Sequence, residues 1–287
     1  MPRRPAEDLA GRRVLITGAA RGIGAALATR LARRGAELAL TGLEPELLEQ
    51  VADTVGAAMW QRCEIAHADE VSASVDDAAR ALGGLDIVVA NAGVAGQLPL
   101  VGGDPRIMER TIQVNLLGTY YTLRAAGPHI AHERGYALAI SSAAAAVHLP
   151  LLGAYSASKA GVEALGNTLR SELRHTGARV GVAYFAELDT DMTSRGFSTR
   201  AAAALGAQGS LSGASPLEPA IDRVERGIAR RSRRIVAPAW VGAVLPLRAL
   251  VQPVMETYAR RTLPEALRIA REENAGLTTD QPTSTSR

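Results

Sequence analysis

Seven short apolar runs, separated for most of the chain by segments of helix length, leave this sequence few folds to choose from. The runs are "RVLIT" (13–17), "AELALT" (36–41), "AAMWQRC" (57–63), "LDIVVA" (85–90), "YALAIS" (136–141), "RVGVAYF" (179–185) and "RIVAPA" (234–239). Strands that are apolar almost throughout belong in a sheet covered on both faces, and helical crossovers between them make neighbouring strands parallel. The pattern predicts an α/β fold: a Rossmann-type, doubly wound, mainly parallel seven-stranded sheet with helices on both faces.

At 287 residues, 47% of them hydrophobic, the chain can bury one large core. Residues 11–240 are read as a single catalytic domain that includes a substrate loop at 186–216. Residues 241–275 are read as a helical extension packed on the same domain, and 1–10 and 276–287 as disordered. Within the loop, the small-residue stretch 194–216 has poor periodicity, which suits a lid, a binding loop or a plain linker.

Composition narrows the partners. Aromatic residues make up 3% of the chain, net charge is +3, and the arginines are dispersed except at 223–234, so no nucleic-acid surface is expected. Cys63 is the only cysteine. It permits no intrachain disulfide and points to a reducing, cytoplasmic setting. The opening "MPRRPAEDLAG" lacks the apolar core of a signal peptide. The longest apolar candidate, 240–255, is broken by two prolines and an arginine and is too short to span a bilayer. The mixture of apolar and basic residues over 240–262 fits a cover over a cleft or an oligomer contact better than peripheral association with a membrane surface.

Directly after the first run comes "TGAARGIG" (17–24), which opens a helical pattern. Gly18, Gly22 and Gly24 would let backbone approach a pyrophosphate. The amides at the start of the helix, Ile23 among them, would supply donors and partial positive charge. A second feature is Lys159, the one lysine among 32 basic residues, which stands four residues after Tyr155 in "GAYSASKAGVEAL". With Val162, Leu165, Leu169 and Leu173 continuing a helical spacing, Tyr155 and Lys159 share one helix face about a turn apart. An ammonium beside a phenol would favour the phenolate, and a compact lysine suits that place better than the wide arginine fork.

These motifs resemble the short-chain dehydrogenase/reductase family. Further points of likeness are "ANAG" (90–93) after the fourth run, Asn115 in "VNLLG", and Ser142 at the end of the fifth run. The resemblance spans roughly residues 10–240 and implies an oxidoreductase that uses NAD or NADP. It implies that Ser142 holds the substrate oxygen and that Tyr155 exchanges a proton with it while hydride moves. In the same pattern Lys159 binds the nicotinamide ribose and Asn115 keeps a water in the proton relay. It also implies cofactor contacts from Asn91, Ala92 and Gly93, and from Glu64 with Ile65 near adenine. Homodimers or homotetramers are the family habit, and no metal is called for.

The chain departs from the family pattern at two places. "FAELDTDM" (185–192) has Phe185 and Ala186 where the family has Pro-Gly, although Thr190 keeps its place, leaving Leu188 backbone and Thr190 as the expected carboxamide contacts. At the end of the second run Gly42 stands where NAD-using relatives carry an aspartate. Glu44 could replace that aspartate, or cap the helix announced by Pro45, while Arg21 could meet a 2′-phosphate. The balance tilts toward NADP. Val94, Ala95, Ala144, Leu149, Leu152, Met192 and Phe197 are expected to face the substrate, with Glu187 and His148 as polar neighbours. They suggest a small hydrophobic ketone, aldehyde or secondary alcohol. The alternative from another class is a dinucleotide-binding regulator or scaffold with little turnover.

Overall fold

The computed structural model describes residues 6–196, 199–205, 213–273, 275–279 and 281. All seven apolar runs are strands: β1 (Arg13–Thr17), β2 (Glu37–Gly42), β3 (Met59–Arg62), β4 (Ile87–Ala90), β5 (Tyr136–Ile140), β6 (Arg179–Phe185) and β7 (Arg234–Ala237). They form one sheet in the order β3-β2-β1-β4-β5-β6-β7, and every neighbouring pair is parallel. The order reverses between β1 and β4. In open α/β sheets the crevice beyond the strand ends at such a reversal is where ligands bind.

The helices of the first half are α1 (Gly22–Arg33), α2 (Pro45–Val55), α3 (Ala68–Leu82), α4 (Pro105–Thr111) and α5 (Gly118–Ile130). Those of the second half are α6 (Gly153–Glu172), α7 (Asp191–Gly196), α8 (Arg200–Ala204), α9 (Leu217–Ala229), α10 (Val241–Val244), α11 (Arg248–Ala259) and α12 (Leu263–Glu273). Because side chains alternate along a strand, β1 feeds two cores. Val14 and Ile16 pack with Leu27 and Leu31 of α1 on one face, and Leu15 packs with Val75 of α3 and Leu123 of α5 on the other. Local chemistry sets the helix ends: Pro45 opens α2, and Gly56 and Gly83, both at positive φ, close α2 and α3.

The described residues near each terminus are better packed than composition suggested. Leu9 is buried in the first core, and Glu7 pairs with Arg12 (3.0 Å) and Arg231 (2.9 Å), so residues 6–10 are packed rather than loose. At the other end Leu277 packs against the second core and Thr278 is 5% exposed. Both segments are polar on the whole, yet a few anchoring side chains are enough to seat them. The irregular stretch 194–216 contains α8, whose Ala201 packs with Leu151 and Ala270 of α12. Phe197 lies outside the described residues.

Candidate active site

The turn after β1 is shaped by glycine. Gly18 has φ +66°, and a Cβ there would stand 2.6 Å from Ala92 Cα, so the turn and the loop after β4 touch backbone to backbone. Asn91 bolts the same junction: its Nδ2 donates to the carbonyls of Thr17 and Gly18, each at 3.0 Å, and its backbone N–H donates to Thr17 Oγ1 at 3.1 Å. Sequence reading assigned Asn91 to the cofactor. Its side chain is spent on joining two cleft walls. Gly24 sits against Asn91 Nδ2 and lets α1 begin close to this junction.

Gly18, Arg21, Gly22, Ile23 and Gly42 border a cavity of about 570 Å³, which continues past Glu64, Ile65, Asn91, Ala92, Gly93 and Val94 to Ser142, Tyr155 and Lys159. A single cleft therefore holds the glycine turn and the Tyr/Lys pair. The Arg21 guanidinium forms an ion pair with Glu44 at 2.8 Å and donates to Thr279 Oγ1 at 3.0 Å. Glu44 stands at the N-cap of α2 but makes no side-chain capping bond, so its carboxylate serves Arg21 instead. Glu64 is buried and grips Arg110 at 2.6 Å.

On the opposite wall, α6 carries both Tyr155 and Lys159 into the cavity. Lys159 is 4% exposed; its Nζ lies 5.6 Å from the Tyr155 ring centroid and spends one of its three donors on Ile140 O at 3.0 Å. Burial lowers the Lys159 ammonium to about 8. The Tyr155 phenol is raised above its ordinary value, first by burial and further by the Glu187 carboxylate, while a hydrogen bond with Ser142 works in the other direction. That direction is opposite to the one expected from a neighbouring lysine, because desolvation outweighs any attraction across this distance. Ser142 Oγ also donates to Phe185 O at 3.3 Å and accepts from the Ala144 N–H at 3.1 Å.

Asn115 does not border the cavity. It is fully buried in a π-helical stretch, Ile112–Leu117, between α4 and α5; its Oδ1 accepts the Val94 N–H at 2.8 Å and its Nδ2 donates to Val94 O (2.9 Å) and Ser158 Oγ (3.0 Å). It thus clamps the loop behind Gly93 and ties it to α6. Extra backbone turns of this kind occur often at functional sites. Nothing in residue periodicity announced this one.

The Phe-Ala replacement of Pro-Gly has a structural answer. Phe185 is buried in the first core, and Ala186 donates to Ala237 O at 3.0 Å, extending the β6-β7 ladder by one residue. Neither adopts positive φ, so this turn has no need of glycine. Beyond it, Leu188 bridges Ser215, and Thr190 lines the cavity.

Of the residues expected to face substrate, Val94, Ala144, Leu149, Leu152, Glu187 and Met192 do border the cavity. Two do not. Ala95 is fully buried behind the wall, packed with Leu149, Leu152, Tyr155 and Met192. His148 is exposed, and its backbone is held by Gln252, through N–H to Oε1 at 2.8 Å and from Nε2 to O at 3.1 Å. Sequence reading also missed several cavity residues: Val147, Trp240, Val244, Val251 and Met255 at the apolar end, and Thr278, Thr279 and Gln281 at the other. Amphipathic spacing in 240–259 was the available signal for the first group. Those side chains place the segment after β7 over the apolar end of the cleft. Among the described residues no helix is long and apolar enough to cross a membrane.

Comparison with known proteins follows the same lines. Residues 12–201 match the family described as short chain dehydrogenase. The chain is 37% identical over 177 residues to D-threitol dehydrogenase of Mycolicibacterium smegmatis, covering 60% of this chain and 68% of that protein. It is 31% identical over 270 residues to 11-beta-hydroxysteroid dehydrogenase-like 6 of Arabidopsis thaliana, covering 88% and 78%. Against glycine betaine reductase ATRR of Emericella nidulans the identity is 36% over 220 residues, covering 75% of this chain but only 17% of that much longer protein. Among solved structures, a short chain dehydrogenase/reductase from Burkholderia phymatum in complex with NAD superposes with a TM-score of 0.75 at 25% identity, covering 85% of this chain and 94% of that one.

Proposed function

Because the chain belongs to the short-chain dehydrogenase/reductase family, whose members bind NAD(P), we propose that it interconverts a hydrophobic ketone or aldehyde and the corresponding alcohol by hydride transfer. The observation that carries this reading is that Ser142, Tyr155 and Lys159 converge on one cavity that also reaches the glycine turn. The residues fit a dinucleotide. At Gly22 a Cβ would project toward space bounded only by Thr190, 3.9 Å away, so glycine keeps the floor open to a bulky anion at the start of α1.

The nicotinamide supplies the hydride acceptor or donor; the chain's own groups manage the oxygen and the proton. Ser142, hydrogen-bonded to Tyr155, would turn its hydroxyl proton from Phe185 O to the substrate oxygen and fix that oxygen beside the phenol. Tyr155, kept protonated by burial, donates its proton to the developing alkoxide in reduction and recovers it from the alcohol in oxidation. Lys159 holds the ribose hydroxyls with the donors not given to Ile140 and places its charge where a phenolate would form. Asn115 acts one layer behind, fixing the Val94 backbone.

The apolar end of the cleft, with Leu149, Leu152, Met192, Trp240 and Met255, supports a hydrophobic substrate over a polyol. Gly42 in place of a carboxylate supports NADP over NAD, with Arg21, which pairs with Glu44 at the same corner, as the cation that would turn to a 2′-phosphate. The test is a panel of hydrophobic ketones and polyols assayed with NADPH, NADH and the oxidised forms, alongside Tyr155→Phe. Turnover of apolar carbonyls with NADPH that Tyr155→Phe abolishes is the expected result. Preference for polyols, or turnover indifferent to the substitution, refutes the reading.

A further inference from the structure

The C-terminal residues after α12 return to the cleft at three points. Leu277 is seated on the second core, against Gly96, whose absent side chain leaves the room it fills: a Cβ there would lie 3.1 Å from Leu277 Cδ2. Thr278 then makes a reciprocal pair with Ala95, its N–H donating to Ala95 O at 2.9 Å and its Oγ1 accepting the Ala95 N–H at 3.0 Å. Thr279 Oγ1 accepts from Arg21 of the glycine turn at 3.0 Å, on the far side of the β1/β4 reversal. Gln281 Oε1 accepts from Arg110 Nε at 2.8 Å, and the same guanidinium grips Glu64.

We propose that Leu277, Thr278, Thr279 and Gln281 form a further wall of the dinucleotide site, which spans the cleft from the Ala95 loop to Arg21 and retains the bound cofactor. The proposal rests on the dinucleotide reading of the cleft. Two observations support a bridge across the cleft. Gly18, Gly22, Gly93 and Lys159 still border open volume with the segment in place, and Thr278, Thr279 and Gln281 line that same volume. The contacts also tie the loop after β4 and the turn after β1, already joined through Asn91, to Arg110 at the end of α4. A dinucleotide lying in the cleft would be covered by a bridge fastened at both rims. Its exchange therefore requires the bridge to detach from Arg21 and Arg110, while Leu277 and Thr278 act as the hinge-side anchor. The attachments at those two arginines are polar and each is worth little on its own, which suits a clasp that opens many times rather than a permanent seal.

The experiment compares the full chain with two variants, Leu277→Asp, which puts a charge in the apolar seat, and a chain ending at Glu273, after α12. NADPH and NADH dissociation are followed by stopped-flow nicotinamide fluorescence, with Kd from titration and folding checked by thermal melting. Release about tenfold faster in both variants, with a matching rise in Kd, is expected. Thr278→Val, which removes only the hydroxyl acceptor, should show a smaller change in the same direction, and it serves as the test if the larger changes fail to fold. Unchanged release and Kd would reduce the segment to surface packing and overturn the proposal. Tighter binding on removal would also overturn it, making the segment a competitor of the cofactor. If none of the chains, the full one included, bound either dinucleotide, the reading of the cleft would fail and the wall with it.

Discussion

At one end of the cleft the turn beneath the cavity is shaped by backbone: Gly18, Gly22 and Gly93 border the cavity, and Asn91 and Thr17 lock the two loops together. At the other end the walls are side chains from distant segments, Leu149 and Leu152 before and at the start of α6, Met192 on α7, and Trp240, Val244 and Met255 from the last quarter of the chain. The contrast shows how a family keeps one reaction while changing substrates. Backbone geometry at the first end tolerates almost no substitution, whereas the second end is remade by changing side chains that no strand depends on.

The largest effect expected lies where the two ends meet. Tyr155→Phe should lower turnover by roughly 10²- to 10⁴-fold, the usual worth of a general acid or base. Cofactor affinity should stay within about threefold, because the glycine-turn end is untouched. An equal loss in both would mean that Tyr155 serves binding more than proton transfer, and the two ends of the cleft would not be separable at their junction.

The backbone end is broken most directly at Gly18. A side chain there would have to hold φ +66°, at ~1–2 kcal/mol for an L-residue, and would meet Ala92 Cα at 2.6 Å, a backbone atom that cannot swing aside. Gly18→Ala should therefore cost at least ~3 kcal/mol in urea unfolding and abolish dinucleotide binding. Stability within ~1 kcal/mol of the parent would show that the turn can relax.

This division also explains what the sequence disclosed. The seven strands, the glycine turn and the Tyr155/Lys159 pair were readable because period, φ and helical spacing are local properties. The role of Asn115 was only half readable: its buried bonds to Val94 and Ser158 depend on a π-helical stretch that has no residue signature. Ala95 and His148 were misplaced because a loop's facing direction is decided by what packs on it, Thr278 in one case and Gln252 in the other. The same holds for Glu44, where a proline signalled a cap and tertiary geometry supplied Arg21 instead.

Lys159, buried at the junction, gives the comparison a pH axis. Its folded value near 8 lies below its ordinary 10.5, so between these pH values the unfolded chain holds a proton that the folded chain has lost. Stability should then rise with pH through that window, by about 3 kcal/mol if Lys159 acted alone, and the cost of burying the ammonium is fully present below pH 8. Tyr155, raised in the fold, works against this only near and above pH 10. Cofactor affinity should move the other way, weakening as pH climbs through about 8 and the ammonium is lost. Chemical unfolding and dinucleotide titration from pH 6.5 to 10, with Lys159→Met as reference, check both signs. A profile unchanged by that substitution assigns the titration elsewhere.

The smallest effect belongs to the side-chain end and uses two faces of one helix. On α11, Met255 borders the cavity, whereas Val254, its neighbour in sequence, is 65% exposed. A cavity wall made of side chains predicts that Met255→Ala changes KM roughly tenfold between a bulky and a compact ketone, the scale of a few methylene contacts. Val254→Ala should change neither KM by more than about twofold, since surface substitutions of this kind remove no buried contact. Neither variant should alter dinucleotide Kd, because no hydrogen bond or ion pair of the glycine turn, Asn91 or Arg21 involves α11 among the described residues. A shift in substrate preference from Val254→Ala alone would mean that α11 seats with its other face inward. A shift in cofactor affinity from Met255→Ala would mean that the two ends are coupled, and specificity could then not be remade at one without disturbing the other.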